Sequence, residues 1–313
     1  MKLGYEEFPL DEVHTYALAS RPSKVDVSQF ARPVPPGASV RDLIDSLPTM
    51  LAAGDLRAVA EAIRAAAARP APVIWGLGGH VIKTGLAPVF GDLMARGFVS
   101  ALALNGAAMI HDFEIAIGGR TSEDVDAALG PGGFGMAKET ATWLNGAISR
   151  GVAAGQGLGE SVVGFLRESG EVKHAEASLL CAAARHDVPV TVHVAIGTDI
   201  IHMHPAASGA MIGEGSLRDF RYFTSSVARL AGGVYLNCGS AVVLPEVFLK
   251  AVALVRNRGI ALEGLTTVNL DFIRHYRPST NVVQRPTAGV GRGYTILGHH
   301  ELLIPLLAAA VVA

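Results

Sequence analysis

Hydrophobic residues fall in two rhythms along this chain. From Ser39 to Ala68 they recur at helical spacing with alanine-rich filling, which predicts one long helix closed by Arg69-Pro70-Ala71-Pro72. Beyond it come short continuous apolar runs, PVIWGL, FVSALALNG, VPVTVHVAIG, GGVYLNCGS and LTTVNLDF. Helical stretches separate them, among them LAPVFGDLMARG, EASLLCAAARHD, SLRDFRYFTSSVARL and PEVFLKAVALVRNRG. Strands apolar on both faces and joined through helices predict an α/β fold: a Rossmann-like parallel sheet with helices on both faces. One domain over residues 1–313 is expected, with 1–38 as an N-terminal extension. The final run LLIPLLAAAVVA is short of the roughly 20 residues a membrane span requires and reads as a helix docked on the core. The glycine-rich ALGPGGFGMAKET reads as a connector or a lid.

Composition narrows the function classes. Half of the 313 residues are hydrophobic, 17% are charged and the net charge is −2, so a large core is available and no basic tract invites nucleic acid or an anionic membrane. Two cysteines provide neither a disulfide framework nor a thiolate metal site. The opening MKLGYEEFPLDEVHTYALAS is acidic and polar where a secretory signal would be apolar, so a cytoplasmic protein is expected.

Candidate chemistry gathers where strands end. In open parallel sheets ligands sit beyond the carboxyl ends of the strands, where loops meet helix N-termini. WGLGGH, LNGAAMIHD and LNCGSAV each place small residues at such a corner. GLGGHV carries only part of a dinucleotide fingerprint, with Val81 where the third glycine would stand. Lys83, on the first turn after that corner, is positioned to reach a phosphate or a substrate carboxylate. Asp199, His202 and His204 form a D-x-x-H-x-H set; on a strand, alternate side chains share a face, so a metal site is a second candidate.

Taken in order, WGLGGHVIKTGLAPVFGDLMARGFVSALALNGAAMIHDFE, ASLLCAAARHDVPVTV, EGSLRDFRYF, LNCGSAVV and the terminal IPLL resemble the deoxyhypusine synthase family over residues 40–313. The resemblance implies NAD contacts near Gly79, His80 and Thr84, near Asn105, Gly106 and Ala107, and near Gly239 and Ser240. It matches His111 and Asp112 to a catalytic pair, Asp219 to an aspartate facing the substrate, and Asp199 or Glu214 to an aspartate near the cofactor. It also implies a homotetramer. The chain departs from the family at the imine-forming lysine, where Gln284, Arg285 and Pro286 stand. A guanidinium does not deprotonate near neutral pH and forms no Schiff base, so deoxyhypusine synthesis itself is not expected.

The expectation is therefore an NAD-dependent enzyme that oxidises a small amine or amino acid to an imine and returns the hydride. His111 or His202 would be its base, Asp219 its ammonium anchor and Arg277 its carboxylate anchor. Three alternatives stand beside it: an ornithine-cyclodeaminase-like lyase, a metal-dependent hydrolase or lyase on Asp199, His202 and His204, and a nucleotide-binding protein without catalysis.

Overall fold

The computed structural model describes residues 4–313. Six strands, β1 (Val73–Leu77), β2 (Ala101–Asn105), β3 (Val190–His193), β4 (Val234–Cys238), β5 (Thr266–Asp271) and β6 (Arg292–Leu297), form one sheet in the order β3-β2-β1-β4-β5-β6. Every neighbouring pair is parallel. The order reverses between β1 and β4, the arrangement in which the loops diverge above the sheet and leave a crevice.

The helices follow in chain order: α1 (Val40–Ser46), α2 (Leu51–Ala67), α3 (Gly79–Lys83), α4 (Ala87–Ala95), α5 (Gly106–Gly118), α6 (Val125–Leu129), α7 (Lys138–Ala153), α8 (Leu158–Glu168), α9 (Leu179–Arg185), α10 (Gly209–Val227), α11 (Val243–Asn257), α12 (Tyr276–Pro278) and α13 (His300–Val312). The single helix expected from Ser39 to Ala68 is two. Pro48 disfavours helical geometry at Leu47, and Leu51, the first residue of α2, takes a left-handed φ of 50°. The sixth strand has no counterpart among the expected runs: it lies at the sheet edge, begins with Arg292 and Gly293, and buries only Ile296. The run VPVTVHVAIG is a strand only to His193.

Alternating side chains divide β1 and β4 between two cores, as a sheet covered on both faces requires. Val73, Trp75, Leu77, Leu236 and Cys238 face a layer built from α2 to α5, α9 and α13, and Ile74 and Tyr235 face α10 and α11. Trp75 meets Phe90 edge-on at 5.1 Å and donates its indole N–H to the Phe98 carbonyl at 3.1 Å, so its polar atom is satisfied inside the core. Tyr235 stacks on Phe248 at 3.8 Å on the opposite face. The C-terminal α13 docks as expected, burying Ile304, Leu307 and Val311. Residues 4–37 are exposed except for half-buried Gln29. No helix among the described residues is long and apolar enough to cross a membrane.

Candidate functional site

The carboxyl rim of the sheet is built on glycines for steric reasons. A Cβ on Gly78 would collide with the Gly239 carbonyl oxygen, so the ends of β1 and β4 press together where the strand order reverses. Gly239 holds a left-handed φ of 68°, and a Cβ there would meet the His300 ring at 2.8 Å. A Cβ on Gly79 would lie 3.0 Å from the Ala107 methyl and 3.1 Å from the His111 ring, which shows how closely α3 approaches α5. Asn105 caps α5 by accepting the Ala108 N–H at 2.9 Å. A Cβ on Gly106 would strike the Asp199 carboxylate, which lies over the first turn of α5.

Beside this rim opens a cavity of about 710 Å³, within the range of small-molecule sites. Lys83, Ala107, His111, Glu114 and Asp199 line its floor, and residues between Gly118 and Thr140 form the opposite side. Ile110, Phe113, Ile117 and Phe134 supply apolar wall. Four carboxylates, Glu114, Glu123, Glu139 and Asp199, face two cations, Lys83 and Arg120, and so favour a ligand carrying positive charge.

His111 is the titratable centre of this cavity. Burial, and then the charge of Lys83, depress its pKa from 6.5 to about 4, so the imidazole is neutral at physiological pH. Its Nδ1 lies 2.7 Å from the Thr121 hydroxyl, which donates to Glu114 Oε2 at 2.5 Å; the Thr140 hydroxyl donates to Glu114 Oε1 at 3.0 Å. Burial pushes the Asp199 carboxyl upward, against the pull of His202 and Thr198.

Of the residues singled out in the sequence, Lys83, Ala107, His111 and Asp199 line the cavity, with Gly79, Asn105 and Gly106 beneath it. His80, Gly239 and Ser240 lie on the β4 side of the rim. There the His80 and His300 Nδ1 atoms are 3.0 Å apart, and Ser240 Oγ accepts the Leu244 N–H at 3.2 Å. Thr84 turns its hydroxyl back to the His80 and Val81 carbonyls.

Asp112, adjacent to His111, points about 100° away around the helix, because successive α-helical residues are separated by that angle. Fully buried, it accepts the Ser178 hydroxyl and the Leu179 and Leu180 N–H groups at 2.6, 2.6 and 2.8 Å, capping α9. Asp219 is also fully buried: its Oδ2 accepts N–H groups from Gly159 at 2.9 Å and Val192 at 2.7 Å, tying α8 to β3. Burial lifts its pKa to about 7 against the downward pull of those bonds. Neither carboxylate lines the cavity. Glu214 is exposed and paired with Arg218 at 2.7 Å, which leaves Asp199 as the acid at the rim. Arg277 lies 3.4 Å from Glu246, away from the cavity.

The strand geometry expected for His202 and His204 is corrected: residues 200–203 form a 3-10 turn, with His204 just after it. His202 Nδ1 accepts N–H groups from Gly197 and Asp199, and His204 Nδ1 accepts that of Ala206. Among the described residues no group of three His, Cys, Asp or Glu side chains is placed to hold a metal ion. The facing side includes the stretch 128–140, expected as a connector or a lid, which brings Phe134, Glu139 and Thr140 to the cavity; Arg120, Thr121 and Glu123 have no counterpart among the sequence expectations. The available signal was Glu114, three residues after His111 and therefore on the same helical face.

No protein-family model matches the chain, and no curated protein matches it by sequence. Solved structures do. The ternary complex of AgrE with ornithine and NAD+ aligns with a TM-score of 0.53 and 17% identity over 82% of this chain and 32% of that one. This chain thus spans about a third of AgrE. A conserved LOR/SDH protein from Methanococcus maripaludis aligns with a TM-score of 0.55 and 15% identity over 84% and 70% of the two chains. A deoxyhypusine synthase candidate from Entamoeba histolytica aligns with a TM-score of 0.50 and 13% identity, over 88% of this chain and 94% of that one. The α/β fold of this chain, with its six-stranded parallel sheet, is therefore similar to that of the LOR/SDH protein, AgrE and the deoxyhypusine synthase candidate.

Proposed function

We propose that this protein is an NAD-dependent enzyme acting on a small amine or amino acid held in the cavity over α5. The observation that carries the reading is the reversal of strand order between β1 and β4, with glycine corners and a cavity at the same rim. The AgrE complex with ornithine and NAD+, on a shared fold, supports that pairing of ligands.

The residues present fit a dinucleotide: Gly78, Gly79 and Gly239 let the strand ends and the first turns of α3 and α5 close together at the carboxyl rim where such ligands sit, and Lys83 offers a cation to a phosphate. When bound, NAD would accept and return the substrate's hydride. In this reading Glu123 and Glu139 attract the substrate's ammonium group and Arg120 its carboxylate, in place of Asp219 and Arg277. Neutral His111 takes the proton that the amine nitrogen sheds as the carbon–nitrogen double bond forms, and gives it back on the return step. The apolar wall limits water, which would hydrolyse an imine. A homo-oligomer, tetrameric by the family resemblance, belongs to the same proposal and is read by sedimentation.

The test is direct. Protein purified without added nucleotide is denatured and the supernatant assayed for NAD, and protein without nucleotide is titrated calorimetrically with NAD+. We expect either co-purified NAD or saturable binding, and absorbance of reduced nicotinamide when ornithine, arginine or a diamine is added. A protein that neither releases NAD nor binds it at millimolar concentration refutes the proposal.

A further inference from the structure

We infer that Thr121 is a positioning residue through which the segment over the cavity sets the protonation pattern of His111. Residues 119–139 cross the cavity with little burial of their own: α6 buries nothing, and Gly119, Ser122, Gly132 and Gly135 all hold positive φ. Both ends of this segment meet one side chain on α5. Thr121, near its start, and Thr140, just past its end, each donate to Glu114, one to each carboxylate oxygen.

The direction of these bonds fixes a tautomer. A glutamate carboxylate at neutral pH has only lone pairs to offer, and a threonine hydroxyl has one proton. With that proton given to Glu114, the Thr121 oxygen can only accept from His111, so His111 carries its hydrogen on Nδ1. Nε2 is left as a lone pair; it has no hydrogen-bond partner and is not among the buried unpartnered atoms, so it is open to the cavity. The segment thus closes the cavity and aims a proton-accepting nitrogen into it through the same hydroxyl. If it lifts, Thr121 leaves His111 and the imidazole is released to exchange tautomers. Closure over a bound substrate and readiness of the base become one event.

The inference rests on the proposed role of His111 as base, but its test does not require NAD or turnover. Protein labelled with 15N-histidine is examined without ligand by long-range proton–nitrogen correlation, the His111 signals being assigned by their loss in His111→Gln. In the unmodified protein His111 should show a protonated Nδ1 and an unprotonated Nε2. Thr121→Ser should preserve that pattern, and Thr121→Val should lose it in favour of the Nε2–H form, with the remaining imidazole signals unmoved as a control on folding. Glu114→Gln should also lose it, because a carboxamide can donate to Thr121 and turn its hydroxyl toward His111. An Nδ1–H pattern that survives in Thr121→Val or Glu114→Gln, or is missing in Thr121→Ser, overturns the inference. Failure to bind NAD with the Thr121-dependent pattern intact sinks the proposed function alone.

Discussion

Replacing Asp112 with alanine tests whether its carboxylate serves the fold or the chemistry, since His111 beside it faces the cavity. The substitution strands the Leu179 and Leu180 N–H groups and the Ser178 hydroxyl in the core. The hydroxyl can rotate to another acceptor, but the two amides at the start of α9 cannot. At about 1–3 kcal/mol for each sealed, unpaired donor, the loss comes to about 4 kcal/mol. For a chain of this size that corresponds to a fall in Tm of roughly 8 °C, readable by calorimetry or circular dichroism.

A pH series adds a second reading. Burial raises the Asp112 pKa to about 6 despite the bonds that pull it down, so the folded state holds this proton more tightly than the unfolded chain does. That contribution is complete below the ordinary value of 3.8 and is lost as pH rises through about 6; the alanine variant lacks this component. His111→Ala should melt within about 1 kcal/mol of the parent, because its ring lines a cavity and caps nothing. An Asp112→Ala protein that melts within about 2 °C of the parent would refute the assignment of this carboxylate to the fold.

Four further outcomes are expected. Lys83→Met should raise the His111 titration midpoint above about 4, because it removes the like charge that disfavours imidazolium, while burial keeps the midpoint below 6.5; an unchanged or lower midpoint by NMR would show that Lys83 does not act on the ring. His111's depressed pKa also means that the stability it supports is present above pH 6.5 and lost as pH falls toward about 4. Gly78→Ala should cost about 3 kcal/mol or more in urea unfolding, since its methyl meets Gly239 backbone that cannot rotate away; a cost under about 1 kcal/mol would show that the two corners do not press together. Trypsin cleavage after exposed Arg120 or Lys138 should slow when NAD+ and an amine ligand saturate the protein, and an unchanged rate at saturation counts against closure of the 119–139 segment.

The sheet was legible where burial is two-sided. Val73–Leu77 and Val234–Cys238 are buried along their whole length, so their sequences are continuous apolar runs. β6 was missed because an edge strand needs only one buried residue in six and leaves no such run. The glycine corners were legible because space there is already taken, by the Gly239 backbone at Gly78 and by the Asp199 carboxylate at Gly106. Adjacency in sequence misled at His111-Asp112, where helical rotation sends neighbours to different faces, and at His202 and His204, where β3 had ended nine and eleven residues earlier at His193. The cavity's other wall was not legible as chemistry, because Thr121 and Thr140 acquire meaning only when the chain folds both onto Glu114.

The helix α5 turns one side, with Asp112, to the interior and another, with His111 and Glu114, to the cavity. One inserted or deleted residue within it would carry His111 into the core and expose the carboxylate that anchors α9, so this helix tolerates replacement far better than a change of length. The span from Gly119 to Glu139 buries only Gly135 and can be rewritten at small cost to the interior. Sequence change is therefore tolerated best in that span, over a floor whose helix is held by the core beneath it.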